Sequence, residues 1–400
     1  MQNYQKTIDA PKQIVYSKNS DSPVIRLVMG IFTRVLAMKY IVFLCLFSFV
    51  YADTIYFKNG GIRSEVTVTK DNYEEVVFHT EYTSEIKMDA GLVSQIEYSD
   101  APAAFLQGKN FSIQKQYEKA IECFLESLEV AKRPPIVRDW IKQYGNFYIA
   151  RTYHEWADNT LDAEKYRKAI AYYQNTLQEM PDTRFLAESH FHKTQCYLAL
   201  AEHGLAKESL ADMNKAVSRL KTKIDWEFRL YLLQGDVFLQ EKQYNSALEK
   251  YEMAQKFAQE KKLSALFNES VMALGNCYLQ KKDFSRAENF FQKIQKESHQ
   301  ADGELQAVVK NGLALCYLEQ GQYLQARNLA VEVILQSRQG GKQQSSALFI
   351  AGQSYEKLAE KNPASLQSAK IYYELLRLAN PDSEWGLKAL QRIQEINKKK

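Results

Sequence analysis

The chain has 400 residues, of which 46% are hydrophobic and 25% are charged, with a formal net charge of +4. This composition is typical of a globular or repeat protein, and it excludes a disordered chain and a protein with many membrane spans. The 16 glycines and 8 prolines are few for this length, which disfavours collagen, low-complexity linkers and a turn-rich all-β fold, so we expect a mainly helical chain.

The basic excess lies in residues 1–52, which hold six Lys or Arg residues against two Asp residues. The remaining 348 residues hold 46 basic and 46 acidic side chains and are neutral. Proteins that bind nucleic acid need clustered Lys and Arg residues to neutralise phosphates. The sequence therefore predicts no nucleic-acid partner.

Residues 38–52 have the pattern of a secretory signal peptide. A start at Met38 and Lys39 is followed by an apolar block, Ile41 to Val50, and Ala52 is a small residue at the cleavage position. We predict cleavage after Ala52 and a mature chain in the periplasm or cell envelope.

Two explanations fit residues 1–37. Either translation starts at Met38 and these residues are not made, or they form an extended basic region before the signal. The alternative is an uncleaved membrane anchor from Val24 to Val50. Arg34 and Lys39 interrupt that stretch, and each would cost a few kcal/mol near the bilayer centre. Contact with a membrane is expected only through this segment, if it is not cleaved.

Four cysteines remain after the predicted cleavage site: Cys123, Cys196, Cys277 and Cys316. The last three each precede a tyrosine, which indicates one repeated structural position. None of the four lies in a spacing typical of a zinc site. We expect buried free thiols rather than a disulfide bridge.

Residues 53–100 have the composition of a small β module. Runs rich in β-branched and aromatic residues are separated by Asn-Gly, Asp-Asn and Asp-Ala-Gly turns; they cover 54–58, 62–70, 73–80, 82–88 and 92–98. This pattern predicts a five-strand antiparallel meander closed into a small barrel. The module resembles the SH3-like or Sm-like barrels that precede helical repeats in some bacterial envelope proteins. Two roles remain open for it, a docking module or an N-terminal cap on the following repeats.

Residues 103–382 contain seven copies of one pattern. In the first half of each copy, a small residue is followed three positions later by a large side chain. The second half contains a second group, in which, in most copies, a small residue lies between two large ones. The small first residues are Gly108, Ala150, Thr194, Gly235, Gly275, Ala314 and Gly352, and the aromatics that follow them are Phe111, Tyr153, Tyr197, Phe238, Tyr278, Tyr317 and Tyr355. The second group is clearest in Phe284, Ala287 and Phe291.

This pattern resembles the tetratricopeptide repeat family over about three quarters of the chain. The resemblance implies a right-handed α-solenoid of seven helical hairpins. Residues 383–400 would add an amphipathic capping helix, with Ser383 as its N-cap, and a basic tail. Successive first-helix aromatics are 38 to 44 residues apart, longer than the ~34 of the family. The second and third copies also carry extra residues between their two helices, and we expect these residues to lengthen the helices.

The resemblance also implies where a partner binds. In these arrays the concave face is lined by first-helix positions six and three residues before the small residue, and one and four residues after it. The residues assigned to partner binding are Tyr144, Phe147, Arg151, His154, Phe191, Gln195, Arg229, Asp236 and Asn276. The same positions also hold Glu188, Leu198, Leu232, Leu239, Glu269, Met272 and Leu279. Packing against neighbouring copies is the alternative role for each of them.

The sequence contains no recognised catalytic or nucleotide-binding motif. His190 and His192 lie two residues apart on a predicted helix and therefore on different faces, so they cannot chelate one ion. An enzyme would need an unrecognised site in the β module, around His79 and Glu81. We expect no cofactor, metal or small-molecule substrate.

Two functions fit these observations. The first is a non-enzymatic scaffold of the bacterial cell envelope that binds a protein or peptide in the concave face. The second is an assembly factor or regulatory partner of an envelope enzyme that builds the cell wall or the outer membrane. The sequence does not separate them.

Overall fold

The described chain begins with one five-stranded antiparallel sheet. The computed structural model describes residues 52–132, 139–297, 303–336, 341–381 and 383–398, so the predicted signal core and the alternative anchor lie outside the described residues. The strands are β1 (Asp53–Phe57), β2 (Ile62–Asp71), β3 (Glu75–His79), β4 (Ile86–Asp89) and β5 (Val93–Glu97). The predicted small antiparallel sheet is confirmed.

The strand order across the sheet is β4-β3-β2-β1-β5. The first four strands follow the predicted meander. A short 3-10 turn, Ala90–Leu92, then carries the chain to the opposite edge, where β5 pairs with β1. This return places Ile96 opposite Ile55, and both are buried. Because β4 and β5 do not pair within this sheet, the predicted closed barrel is wrong.

Fifteen helices follow within the described residues. They are α1 (Ala103–Ile113), α2 (Tyr117–Val130), α3 (Trp140–Thr160), α4 (Ala163–Glu179), α5 (Leu186–Ala199), α6 (His203–Arg219), α7 (Ile224–Gln240), α8 (Tyr244–Glu260), α9 (Ser264–Gln280), α10 (Phe284–Glu297), α11 (Gly303–Glu319), α12 (Tyr323–Gln336), α13 (Lys342–Leu358), α14 (Ser365–Ala379) and α15 (Glu384–Lys398). The first fourteen form seven pairs, one for each copy of the sequence pattern.

Small residues let the helices of this array approach closely. The ring of Phe291 on α10 lies between Gly275 on α9 and Gly312 on α11. A Cβ atom added to either glycine would lie 2.0 or 2.2 Å from Cζ of Phe291. The second-helix alanines of six copies are fully buried: Ala120, Ala169, Ala247, Ala287, Ala326 and Ala369. The repeated pattern therefore encodes interhelical contact, as its spacing predicts.

The extra residues of the second and third copies lengthen different helices. In the second pair, α3 continues well past Tyr153 and α4 begins before Tyr166, so both helices are longer. In the third pair, α5 ends close to Tyr197, and all the added residues lie at the start of α6. The expectation that both helices lengthen is therefore correct for the second copy and wrong for the third.

The sheet is fixed to the array by the carboxylate of Asp71, at the end of β2. Its Oδ1 accepts a hydrogen bond from Nη1 of Arg184 at 2.9 Å. Its Oδ2 accepts from the hydroxyls of Tyr98 at 2.8 Å and of Tyr144 at 2.7 Å. Asp71 and Arg184 are both buried at the side-chain level. One buried carboxylate thus joins β2, β5, α3 and the loop before α5.

A second contact joins the sheet to the third pair. The Tyr73 hydroxyl, in the turn after β2, donates to the carbonyl of Ala216 on α6. Tyr73 belongs to the same buried cluster as Met213 and Val217, which stand where other copies carry Ala and an aromatic. The third copy therefore departs from the pattern at the point where α6 packs against the sheet.

The last helix contacts the seventh pair and also the second pair of the array. Oγ of Ser383 accepts from the N–H of Gly386 at 3.0 Å, so Ser383 is the N-cap that the sequence predicted. Besides packing on α14, α15 also reaches α3, where Leu387 and Trp156 line one cavity. None of the helices described is both long and apolar enough to cross a membrane.

Candidate functional site

The residues predicted to bind a partner lie on the face formed by the first helices of each pair, here called the first-helix face. In the second copy much of this face is covered. The Tyr144 hydroxyl is bound to Asp71, and Phe147 is 1% exposed, with its ring stacked on Phe185 at a centroid distance of 4.0 Å. These two side chains hold the sheet and the loop before α5 in place and present little surface to a partner.

Three of the remaining predicted residues, Arg151, His154 and Gln195, belong to a charged cluster that spans the second and third copies. Arg151 contacts Glu155 at 3.1 Å and Glu188 at 3.6 Å. Nε2 of His192 lies 3.7 Å from Glu188, and its Nδ1 lies 3.1 Å from Oε1 of Gln195. Each charge in this cluster therefore has a partner within the protein.

The histidines of this cluster face each other across two pairs. The rings of His154 and His192 have centroids 5.3 Å apart. Burial, together with the charges of His192 and Arg151, lowers the pKa of His154 to about 3, so His154 is neutral at physiological pH. Burial raises the pKa of Glu188, but the bond and charge of His192 and the charge of Arg151 outweigh it, and the net pKa is lowered.

A first cavity, here called the N-terminal cavity, lies where the sheet meets the first three pairs. It has a volume of about 510 Å³ and is lined by the edge strand β5 and by first-helix residues that include Phe105, Lys109, Arg151 and Glu188. The sheet thus closes one end of the first-helix face. This is the arrangement expected of an N-terminal cap, one of the two roles left open for the module.

Two further predicted residues lie between the two ends of the array. The guanidinium carbon of Arg229 lies 5.3 Å from the ring centroid of Phe191 and 6.0 Å from that of Trp226. The Arg229 side chain is exposed, and Phe191 is half-buried. The two side chains connect the third pair to the fourth through a cation–π contact.

A second cavity, here called the C-terminal cavity, lies on the first-helix face of the fourth to seventh pairs. It has a volume of about 400 Å³. Its lining from the positions predicted for the fourth and fifth copies comprises Leu232, Asp236, Glu269, Met272, Asn276 and Leu279. The structure therefore brings together, in one open cavity, six of the side chains that the sequence placed on this face.

Asp236 is the most perturbed acid of the C-terminal cavity. Its Oδ1 accepts a hydrogen bond from the Tyr251 hydroxyl at 2.7 Å. The pKa of Asp236 is raised to about 6, because burial and the nearby charge of Glu269 outweigh the lowering effect of the Tyr251 hydrogen bond. Strongly perturbed carboxylates cluster at functional sites, which makes Asp236 a candidate functional residue.

Asn311 on α11 is a polar residue that sequence reasoning did not single out. It is 4% exposed, and its Nδ2 donates to the carbonyl and Oε1 of Gln343 at 2.9 and 3.1 Å. Its Oδ1 is buried and has no hydrogen-bond partner among the described residues. The positional rule used for the fourth and fifth copies would have found Asn311 and Leu315 had it been extended to the sixth.

Trp385 on α15 is another lining residue that was missed. Its ring lies 5.3 Å from that of Phe349 on α13, so the last helix closes the far end of the C-terminal cavity. No local pattern points to this contact, because α15 lies outside the repeat.

The residues considered for metal binding or catalysis are not brought together. His190 is buried with its Nδ1 unpaired in the described structure, whereas His192 stacks on Tyr173 at a centroid distance of 5.9 Å. His79 ends β3, and Glu81 lies in the exposed segment after it. A search of the described residues found no group of three His, Cys, Asp or Glu side chains that could hold a metal ion.

Comparison with known families gives one match. A tetratricopeptide repeat model matches residues 101–134, the segment that contains the first helical pair. No curated protein matches the chain. The family match and the seven pairs of the structure support a tetratricopeptide-type repeat array.

Several solved structures resemble this chain at low sequence identity. A tetratricopeptide repeat protein from Parabacteroides merdae is 13% identical over 73% of this chain and 97% of that chain, with a TM-score of 0.47. NprR in complex with its cognate peptide NprX is 13% identical over 75% of this chain and 84% of that chain, with a TM-score of 0.45. The apo form of RapI is 16% identical over 72% and 79%, with a TM-score of 0.44. At these values each is a distant likeness in fold.

Proposed function

We propose that this protein is a non-enzymatic scaffold that binds an extended segment of a partner protein in its C-terminal cavity. One observation carries this proposal: first-helix residues of four successive pairs line a single open cavity of about 400 Å³. A cavity made by several repeats suits an extended segment, because each repeat can contact a successive part of it.

The lining has the composition that peptide recognition needs. Leu232, Met272 and Leu279 supply an apolar surface, while Asp236 and Asn276 supply polar groups beside it. Apolar contact provides most of the binding free energy, and the few polar groups select the sequence and orientation of the ligand. The helices that carry these side chains are fixed by interhelical packing, so little ordering is needed on binding.

Site-specific photo-crosslinking tests this proposal. A photoreactive amino acid is placed at Asn276, inside the C-terminal cavity, or at Glu252, which is exposed on α8 and does not line the cavity. We expect crosslinks to partner protein from position 276 only. Equal crosslinking from both positions, or crosslinking from position 252 alone, would exclude the cavity as the binding site.

We further propose that the protein works in the cell envelope of a bacterium. The support is the predicted signal peptide at residues 38–52, and β1 begins at Asp53, so cleavage after Ala52 would leave every described strand and helix intact. Mass spectrometry of the protein isolated from its native cells tests this. An N-terminus at Asp53 in an envelope fraction is expected, and a cytosolic chain that retains residues 38–52 would contradict it.

A further inference from the structure

The C-terminal cavity contains two carboxylates that have no cationic partner among the described residues. We infer that its occupant is a polypeptide segment with a Lys or Arg side chain whose charge lies between Asp236 and Glu269, next to an apolar side chain. This inference rests on the proposed function and specifies the chemistry of the segment that is bound.

The charge distribution gives the first reason. Asp236 on α7 and Glu269 on α9 line the same cavity, and the charge of Glu269 raises the electrostatic cost of ionising Asp236. Neither makes an ion pair with any Lys, Arg or His of the described residues, although Glu188, the acid at the position of Glu269 in the third copy, pairs with Arg151. Lys342 also lines the cavity, without reaching either carboxylate. A cation from a ligand would supply the missing counter-charge.

The unpaired amide oxygen of Asn311 gives the second, independent reason. Asn311 lines the same cavity, and its amide nitrogen is already committed to Gln343. A buried acceptor without a donor destabilises the protein, because it has lost its hydrogen bonds to water and gained none in return. The backbone N–H of a bound polypeptide segment would satisfy this oxygen while a basic side chain of the same segment reaches the two carboxylates.

The apolar lining gives the third reason. Leu232, Met272, Leu279 and Trp385 border the cavity and give it an apolar surface. The aliphatic stem of a Lys or Arg side chain, or a neighbouring apolar side chain, would cover this surface while the charged end reaches the carboxylates. An acidic segment would instead place like charges against Asp236 and Glu269.

Selection from a phage-displayed library of random heptapeptides tests the inference. The library is panned on the full-length protein and on the double variant Asp236→Asn with Glu269→Gln, which keeps the shape of both side chains and removes both charges. The single variant Glu252→Gln is the control, since it removes one carboxylate from a surface outside the cavity. Enriched peptides are then synthesised, and their affinities are measured by fluorescence polarisation, with each basic residue also replaced by norleucine.

We expect peptides selected on the native protein to carry a Lys or Arg residue beside an apolar one. Their affinity should fall at least about 10-fold in the double variant or on replacement by norleucine, and should stay within about 2-fold in Glu252→Gln.

Other outcomes overturn the inference in distinguishable ways. Enriched peptides that bind the cavity without a basic residue, or basic peptides that bind the double variant equally well, contradict the cation assignment and leave the proposed function standing. Binding of spermidine as tight as that of the selected peptides contradicts the polypeptide assignment. A further comparison uses the variant Asn276→Arg, whose larger side chain obstructs the cavity. If the native protein enriches no peptide more strongly than this variant does, the proposed function itself fails.

Discussion

Nη1 of Arg184 donates to Oδ1 of Asp71 at 2.9 Å and joins the β sheet to the helical array. Removing one partner of a buried ion pair leaves the other charge without compensation and costs about 3–5 kcal/mol. We therefore predict that Arg184→Ala lowers the free energy of unfolding by that amount, as measured by urea denaturation.

Arg219→Ala is the matched control for this prediction. Arg219 also joins the array to the sheet, through Glu74 at 2.7 Å, but its side chain is 47% exposed. Exposed pairs contribute about 0–1 kcal/mol, so a small effect is expected. If Arg184→Ala and Arg219→Ala lower the free energy of unfolding equally, the buried Asp71–Arg184 pair does not contribute more to the attachment of the sheet than the exposed pair does.

Asp236 should reduce the stability of the free protein at neutral pH. Its pKa is raised from 3.8 to about 6, so the folded state holds this proton more tightly than the unfolded state does. Its ionisation therefore destabilises the fold fully above about pH 6, and the effect disappears below about pH 4. We predict that Asp236→Asn raises the free energy of unfolding by about 1–3 kcal/mol near neutral pH.

Urea denaturation as a function of pH measures this effect. The curves of the native protein and of Asp236→Asn should converge as the pH falls from about 7 to about 4. A variant less stable than the native protein at neutral pH would show that the Tyr251 hydrogen bond to this carboxylate outweighs the cost of its burial.

Gly275 should not tolerate even a methyl group. An added Cβ would lie 2.0 Å from Cζ of Phe291, and overpacking of this kind costs about 1–3 kcal/mol. We predict that Gly275→Ala lowers the thermal unfolding midpoint, although Ala favours a helix over Gly by about 1 kcal/mol.

The control for this variant is Gly204→Ala on α6. A Cβ at Gly204 meets nothing within 4 Å. Only the higher helix propensity of Ala then acts, so the thermal unfolding midpoint of this variant should be unchanged or higher. A rise in both variants would contradict the close approach of α9 to Phe291.

The cysteines should differ in reactivity. Cys196, Cys277 and Cys316 are buried, and Cys123 is half-buried. Burial raises the pKa of Cys277 to about 11 and that of Cys316 to about 12, which leaves little reactive thiolate. In the folded protein iodoacetamide should modify Cys123 first, as measured by peptide mass spectrometry. Labelling of Cys277 or Cys316 as fast as Cys123 would show that their helices open readily.

The sequence predicted those parts of the fold that depend on short-range patterns. Gly275 and Phe291 lie within one repeat, and their contact follows from the spacing of small and large residues on two adjacent helices. The same positional rule placed Asp236, Met272 and Asn276 on one face, where the structure places them in one cavity.

The remainder depends on contacts between distant segments. Asp71 and Arg184 are far apart in the chain, and no periodicity relates them, so burial of Tyr144 beneath the sheet was not predicted. Trp385 enters the C-terminal cavity only because α15 packs against α13. The return of β5 to β1 likewise depends on the burial of Ile96 rather than on any turn signal.

Hydrogen–deuterium exchange with a library-selected peptide tests the central claim most directly, because it locates binding on the whole chain. We predict that the peptide slows exchange in α9 and α11, which line the C-terminal cavity. Exchange in β1 to β5 and in α8, a second helix that does not line the cavity, should be unchanged. Slower exchange confined to the sheet or to α8, with α9 and α11 unaffected, would contradict the account.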